Sequence, residues 1–281
     1  MKKIHRLLAL FLTLALCAAL APMALAADAK AQYEKTAGYV MGQVPSPGYG
    51  SIGGDWAVLG LARGGANVKS GYFDGYYAKL ESYVKSCQGV LHKRRYTDYS
   101  RVVLAVTAIG KDARDVAGYN LLLPLGDFEK TVYQGVNGAI FALLALDAGG
   151  YEIPANPEAK TQATRDGYVQ KILSAQLADG GWNMSGEKAD ADLTAMALQA
   201  LAGYTAQAAV QAAVDRGIAA LSSMQLTDGG FATGGAETCE SNAQVIVAMA
   251  ELGISPSDSR FTKGSSTVVD ALLAFSNTNG S

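Results

Sequence analysis

Leu173-Ser174-Ala175-Gln176-Leu177-Ala178-Asp179-Gly180-Gly181-Trp182 recurs later in the chain as Leu221-Ser222-Ser223-Met224-Gln225-Leu226-Thr227-Asp228-Gly229-Gly230-Phe231. The step from Asp179 to Asp228 sets a repeat period near fifty residues, a range that marks stacked units burying their apolar faces on one another. In each copy a helix ends at the Gln, Asp-Gly-Gly turns the chain through positive φ, and the aromatic packs back against the helix it follows.

Each turn leads into another helix, Asp192 to Leu201 after the first and Glu240 to Met249 after the second. Both are apolar on nearly every face, as helices buried all round are. The segment between, Ala206 to Met224, is amphipathic, with Gln207, Gln211, Asp215 and Arg216 for the solvent side. Read outward, the same alternation predicts outer helices at Ala29–Gln43, Tyr72–Gly89, Ala113–Leu123, Thr161–Leu177, Ala206–Met224 and Ser265–Phe275. Inner helices are expected at Asp55–Arg63, Asp98–Ile109, Gln134–Asp147, Asp190–Tyr204 and Glu240–Leu252, and alternating strand patterns are absent. The fold expected is all-α: an α/α toroid of alternating outer and inner helices, one inner helix short of a closed six-fold ring. Leu272 to Ser281 runs parallel to the earlier turn segments and stops where the aromatic should come. The domain therefore reads as C-terminally truncated, or as leaving a gap that exposes apolar flanks for self-association.

Ahead of the repeats, Lys2, Lys3 and Arg6 precede an uncharged apolar run from Leu7 to Leu20, with Ala24 and Ala26 spaced for cleavage. This reads as a signal peptide over residues 1–26, and the toroid domain as residues 27–281. Secretion or display at the cell surface follows. Removing the leader leaves 20 basic residues against 25 acidic, a net charge of −5, which does not favour nucleic acid. Cys87 and Cys239 remain; placed at an outer and an inner helix on opposite sides of a ring, they are expected to be free thiols. Cys239 reads as a small buried apolar residue. His92, the one histidine after the leader, sits in the basic loop Leu91-His92-Lys93-Arg94-Arg95 and reads as solvated.

Gln176-Leu177-Ala178-Asp179-Gly180-Gly181-Trp182 resembles the QxxDGGW repeat of squalene-hopene cyclases and prenyltransferase β-subunits. Ala189 to Ala197 resembles inner helices of transcobalamin and intrinsic factor. The likeness is strong from Thr161 to Leu252 and weaker before. It implies the toroid superfamily and, through the transcobalamin-like members, a binder of a small hydrophobic or corrinoid-like ligand.

Acidic residues open the inner helices: Asp55, Asp98, Asp190 with Asp192, and Glu240. In a toroid these would rim one mouth of the cavity; as single residues they also suit helix capping and the helix dipole. With Trp56, Tyr99, Tyr133, Gln134, Asn137 and Asn242 beside the same helix starts, they form the candidate ligand-binding set. The resemblance to class II cyclases would make Asp192, with Asp190, a general acid that protonates an alkene. Leu193 stands where their DxDD motif has its last Asp, and no partner histidine is evident. The zinc chemistry of prenyltransferases lacks its ligands, since Cys239 follows Glu237 and no histidine comes after it, so no metal is expected. The reading is a non-catalytic small-molecule-binding module needing no cofactor, with a corrinoid as the ligand by resemblance. The alternatives are a cyclase-like enzyme acting through Asp192 and a structural or interaction module of the cell envelope.

Overall fold

The computed structural model describes residues 23–281, and the leader reading lies almost wholly outside them. The described chain is predominantly helical, as expected: α1 (Met23–Gln43), α2 (Trp56–Arg63), α3 (Tyr72–Ser86), α4 (Thr97–Ala108), the single turn α5 (Phe128–Thr131), α6 (Val136–Ala148), α7 (Arg165–Ser174), α8 (Ala191–Leu201), α9 (Ala208–Met224), α10 (Cys239–Glu251) and α11 (Val268–Ala274). Two compact units divide it, one spanning residues 37–171 and the other combining 172–281 with the N-terminal segment through residue 36.

In the first unit α4 packs against both α2 and α6. Its core is built by Val102, Val103, Ala105 and Val106 of α4, Val58 of α2, and Ala139, Ile140, Leu143 and Leu146 of α6. Tyr76, Leu80 and Val84 of α3 are fully buried with them. The outer helix expected at Ala113–Leu123 does not form. A bridge pairs Val116 with Tyr119, and Ala117 and Gly118 turn through φ of 57° and 88°, which breaks any helix. Val116, Leu121 and Leu122 are buried all the same, so this loop carries the apolar spacing of a helix without being one.

In the second unit α8 packs against α9 and α10, and α10 against α11. Asp190 caps α8 by accepting the Leu193 N–H at 2.9 Å, and Thr238 caps α10 by accepting that of Ser241 at 3.1 Å. Thr267 and Asp270 form a reciprocal capping box on α11. Two small hairpins that the sequence pattern did not signal, Ala232–Thr233 with Ala236–Glu237 and Thr262–Lys263 with Ser266–Thr267, lead into α10 and α11.

Among the described residues the repeated turn is built three times to one plan. Leu177 N–H donates to the Gly181 carbonyl, Leu226 to Gly230 and Asn277 to Ser281, each at 2.9 Å. Gly180, Gly229 and Gly280 take φ of 90°, 93° and 91°. A Cβ on any of them would press on a backbone carbonyl: Arg216 for Gly180 at 2.8 Å, Thr267 for Gly229 at 2.6 Å, and Lys35 for Gly280 at 2.5 Å. Each turn therefore seats its glycine on the backbone of another element, the third on α1.

The Gln of the repeat fastens that seat. Gln176 Nε2 donates to Gly180 at 2.7 Å and to Ala213 of α9 at 2.8 Å, and Gln225 Nε2 to Gly229 at 2.8 Å and Phe261 at 2.9 Å. Ser276 stands in the third copy, so its turn keeps the glycine contact without the amide.

Candidate functional site

The loop that delivers Asp55 is pinned from several sides. Tyr72 donates to the Val44 carbonyl at 2.7 Å, Lys79 to that of Ser46 at 2.9 Å, and the rings of Tyr49 and Tyr83 stack with centroids 3.9 Å apart. Gly54 lies against the Gly48 carbonyl so closely that no side chain fits there. Asp55, wholly buried, then accepts from Tyr76 at 2.7 Å on Oδ1, and from Arg101 Nε at 2.7 Å and the Gly50 N–H at 3.3 Å on Oδ2. Arg101 Nη1 donates onward to Asp98 Oδ1 at 2.8 Å, and Arg95 holds the other Asp98 oxygen at 3.1 Å.

Asp55 and Asp98 are thus joined through one arginine in the interior of the first unit. Burial raises the Asp55 carboxyl above its ordinary value, although Arg101 and Tyr76 both pull it down. Burial would depress the Arg101 guanidinium, but hydrogen bonds and charge from Asp55 and Asp98 hold it above its usual range. Burial and the Asp55 carboxylate push the Tyr76 hydroxyl up, so it stays a donor. The acids expected at a cavity mouth here hold helix starts together.

Other expected positions divide. Tyr99 is a core residue, 3% exposed, packed edge-on against Tyr96, with its hydroxyl pushed up to about 12 by burial; it is not at a mouth. Gln134 accepts from the Thr97 hydroxyl at 3.1 Å and its N–H at 3.3 Å, tying the turn before α6 to the start of α4. Tyr133, 57% exposed, carries the Arg94 guanidinium 4.5 Å above its ring. Trp56, 39% exposed, leans on Phe141 with ring centroids 6.2 Å apart and planes at 50°.

In the second unit Asp190 is spent on its cap. Asn242, fully buried, accepts the Phe231 N–H at 2.7 Å, as Thr194 accepts that of Trp182 at 2.9 Å, so both residues clamp the repeat aromatic and Asn242 has no free face for a ligand. Glu240 is exposed and accepts the Cys239 thiol at 3.1 Å. Cys239 is half-buried, not the core residue expected, because it opens α10 at its exposed end; burial, then Glu240, raises its thiol. Both cysteines are free thiols, as expected. Asp192 differs from the other acids: its Oδ1 is enclosed without a hydrogen-bond partner.

On the most deeply buried helices little remains open. On α6 Asn137, Phe141 and Leu144 are half-exposed at i, i+4 and i+7, while all positions between them are buried. Thr97 and Arg101 of α4 repeat the i, i+4 step, whereas α2 is more open, with Trp56, Ala57, Gly60, Ala62 and Arg63 all unburied. In the second, Asp192 and Met196 are the two residues of α8 that are not buried, and within α10 Ala243, Gln244, Val247 and Ala250 are half-exposed. In the first unit Trp56 and Phe141 bring two aromatic faces together, and the Asn137 amide lies one turn before Phe141 on the same open side of α6. Arg101 and Phe141 escaped the sequence reading. Arg101 carried one local signal, its place three residues after Asp98; Phe141 carried none.

Among the described residues no group of three or more His, Cys, Asp or Glu is arranged to hold a metal ion, and no helix is long and apolar enough to cross a membrane. Comparison with protein-family models, with curated proteins and with solved structures returns no match to this chain.

Proposed function

We propose that this chain is an exported, non-catalytic small-molecule-binding module of α/α-toroid architecture. The observation that carries it is the half-exposed stripe Asn137, Phe141 and Leu144 on α6, whose intervening positions are all buried, with Trp56 of α2 against Phe141. The ring is supported by the three like turns, each seated on another element and the third on α1. Resemblance makes a corrinoid, or another broad and largely apolar ring system, the first ligand class to offer it.

The candidate acids favour binding over catalysis, since Asp190 is a cap and Asp55 and Asp98 share Arg101. Asp192 alone keeps a second reading in view. Its enclosed Oδ1 has no hydrogen-bond partner, so unlike Asp190 it is not committed to a structural contact through that oxygen.

Thermal unfolding against corrinoids, other tetrapyrroles and isoprenoid diphosphates tests the proposal. A ligand that binds the folded chain at a hundred times its Kd stabilises it by about 2.7 kcal/mol and raises the melting temperature accordingly. We expect that rise with a corrinoid or tetrapyrrole, unchanged in Asp192→Asn. A rise with isoprenoid diphosphates alone, together with product formation that Asp192→Asn abolishes, would replace the binder by the enzyme.

A further inference from the structure

Two Asn-Gly pairs occur in the chain, Asn137-Gly138 and Asn279-Gly280. Glycine has no side chain to shield its backbone nitrogen, so that nitrogen can reach the side-chain amide carbon of the residue before it. The fold treats the two pairs differently. Asn137 is the second residue of α6, where helical geometry turns a side chain back toward the N-terminus and away from the following nitrogen. Gly138 is buried against the Thr131 carbonyl, so the backbone there cannot swing to close that distance. Asn279 is exposed and lies in the third turn, outside any helix.

The third turn also polarises the Asn279 amide. Its Oδ1 accepts the Ser281 N–H at 3.1 Å and the Ser281 hydroxyl at 2.8 Å. Asn277 Nδ2 donates to that hydroxyl oxygen at 3.0 Å, which leaves the hydroxyl proton for Asn279. Two donors on one carbonyl oxygen draw charge from its carbon and stand ready for the oxyanion that forms when a nucleophile adds there. The other two copies hold an acid at this place: Asp179 and Asp228 accept the Gly181 and Gly230 N–H groups at 3.2 and 3.0 Å on Oδ1. A carboxylate therefore suits the turn as well as the amide does.

We propose that Asn279 is a self-modifying site, converted through a succinimide to aspartate and isoaspartate. The Gly280 nitrogen, once it releases its hydrogen bond to the Asn277 carbonyl, bonds to Cγ of Asn279. The Cγ–Nδ2 bond breaks, and Nδ2 leaves as ammonia with the Gly280 amide proton. A water molecule then opens the ring. Opening at Cγ gives aspartate, the residue of the other two copies, and the turn persists with a stronger acceptor. Opening at the backbone carbonyl gives isoaspartate, which routes the main chain through Cγ and lengthens it by a methylene. Gly280 then no longer fits on the Lys35 carbonyl, so this product frees the turn from α1.

Incubation of the chain at mildly alkaline pH, with and without urea, followed by peptide mass spectrometry that resolves isoaspartate, tests this. In the folded chain Asn279 is expected to convert at least about tenfold faster than Asn137, a ratio that needs only about 1.4 kcal/mol of helix protection. In urea the two rates should converge. Ser281→Ala, which keeps both the Asn and the Gly, should slow Asn279 several-fold in the folded chain and leave its rate in urea unchanged. Asn279→Asp should melt with the unmodified chain, while the isoaspartate fraction, separated by ion exchange, melts lower. Four results would each overturn the proposal: Asn279 intact in the folded chain while it converts in urea, a ratio to Asn137 that is the same with and without urea, no effect of Ser281→Ala, or an Asn279→Asp variant that melts as low as the isoaspartate fraction.

Discussion

Trp182→Ala is expected to cost about 3–5 kcal/mol of unfolding free energy, the range for deleting a fully buried large aromatic. Trp182 is 0% exposed and touches three helices of the second unit. Its indole N–H donates to the Ile172 carbonyl of α7 at 2.7 Å, and its backbone N–H donates to Thr194 of α8 at 2.9 Å. Its ring lies so close to Gly217 of α9 that a Cβ there would come within 2.9 Å of it. Alanine leaves a cavity at that junction and removes the shorter of the two hydrogen bonds to the Ile172 carbonyl. Against a total stability of order 5–15 kcal/mol this is a large share. Trp182→Phe should cost markedly less, because the next repeat already carries the smaller ring at Phe231, also fully buried. Chemical denaturation of the three proteins measures the series; an alanine variant no weaker than the phenylalanine one would refute the packing account of the repeat.

Asp55→Ala is the second large effect, about 3–5 kcal/mol, because it strips one member from a buried charge network. Arg101 Nε, the Tyr76 hydroxyl and the Gly50 N–H all lose their acceptor together. Asp55→Asn keeps an oxygen for one of these donors and should cost less. The two also differ with pH. The folded-state Asp55 carboxyl titrates above its ordinary value of 3.8, so between those two values the folded chain binds its proton more tightly than the unfolded chain does. Its contribution to stability is therefore full below 3.8 and falls as pH rises toward the raised value. Asparagine does not titrate, so the penalty of Asp55→Asn should shrink over that window. A penalty that grows from low to higher pH would contradict the raised carboxyl.

The legible parts of this fold are those decided locally. A Gly at positive φ, an Asp accepting the N–H two residues on, and a Gln reaching back to its own turn all lie within a few residues, so the repeat could be read at Asp179 and Asp228. The same backbone pattern forms at Asn277 to Ser281 although the residue types have drifted, with Asn279 accepting the Ser281 N–H as the Asp residues do. Ala113–Leu123 shows the opposite case. Val116, Leu121 and Leu122 are apolar because the loop is buried, and spacing alone cannot tell a buried loop from a buried helix.

The site was less legible because the role of an acid at a helix start depends on what comes from elsewhere. Asp55 acquires its meaning from Arg101, 46 residues away, and Asp190 from its own helix. Asn242 and Thr194 play one part with different side chains, eleven and twelve residues after the aromatic they clamp, so identity gave no hint of equivalence.

Acrylamide quenching of tryptophan fluorescence, before and after a ligand that raises the melting temperature, tests the central claim most directly. The chain has two tryptophans, Trp182 fully buried and Trp56 39% exposed on the stripe, so quenching of the free protein reports on Trp56. If the stripe holds the ligand, saturation should shield Trp56 and leave both tryptophans poorly quenched. Quenching of Trp56 that is unchanged at saturation would show that the ligand binds elsewhere and that the stripe is not the binding surface.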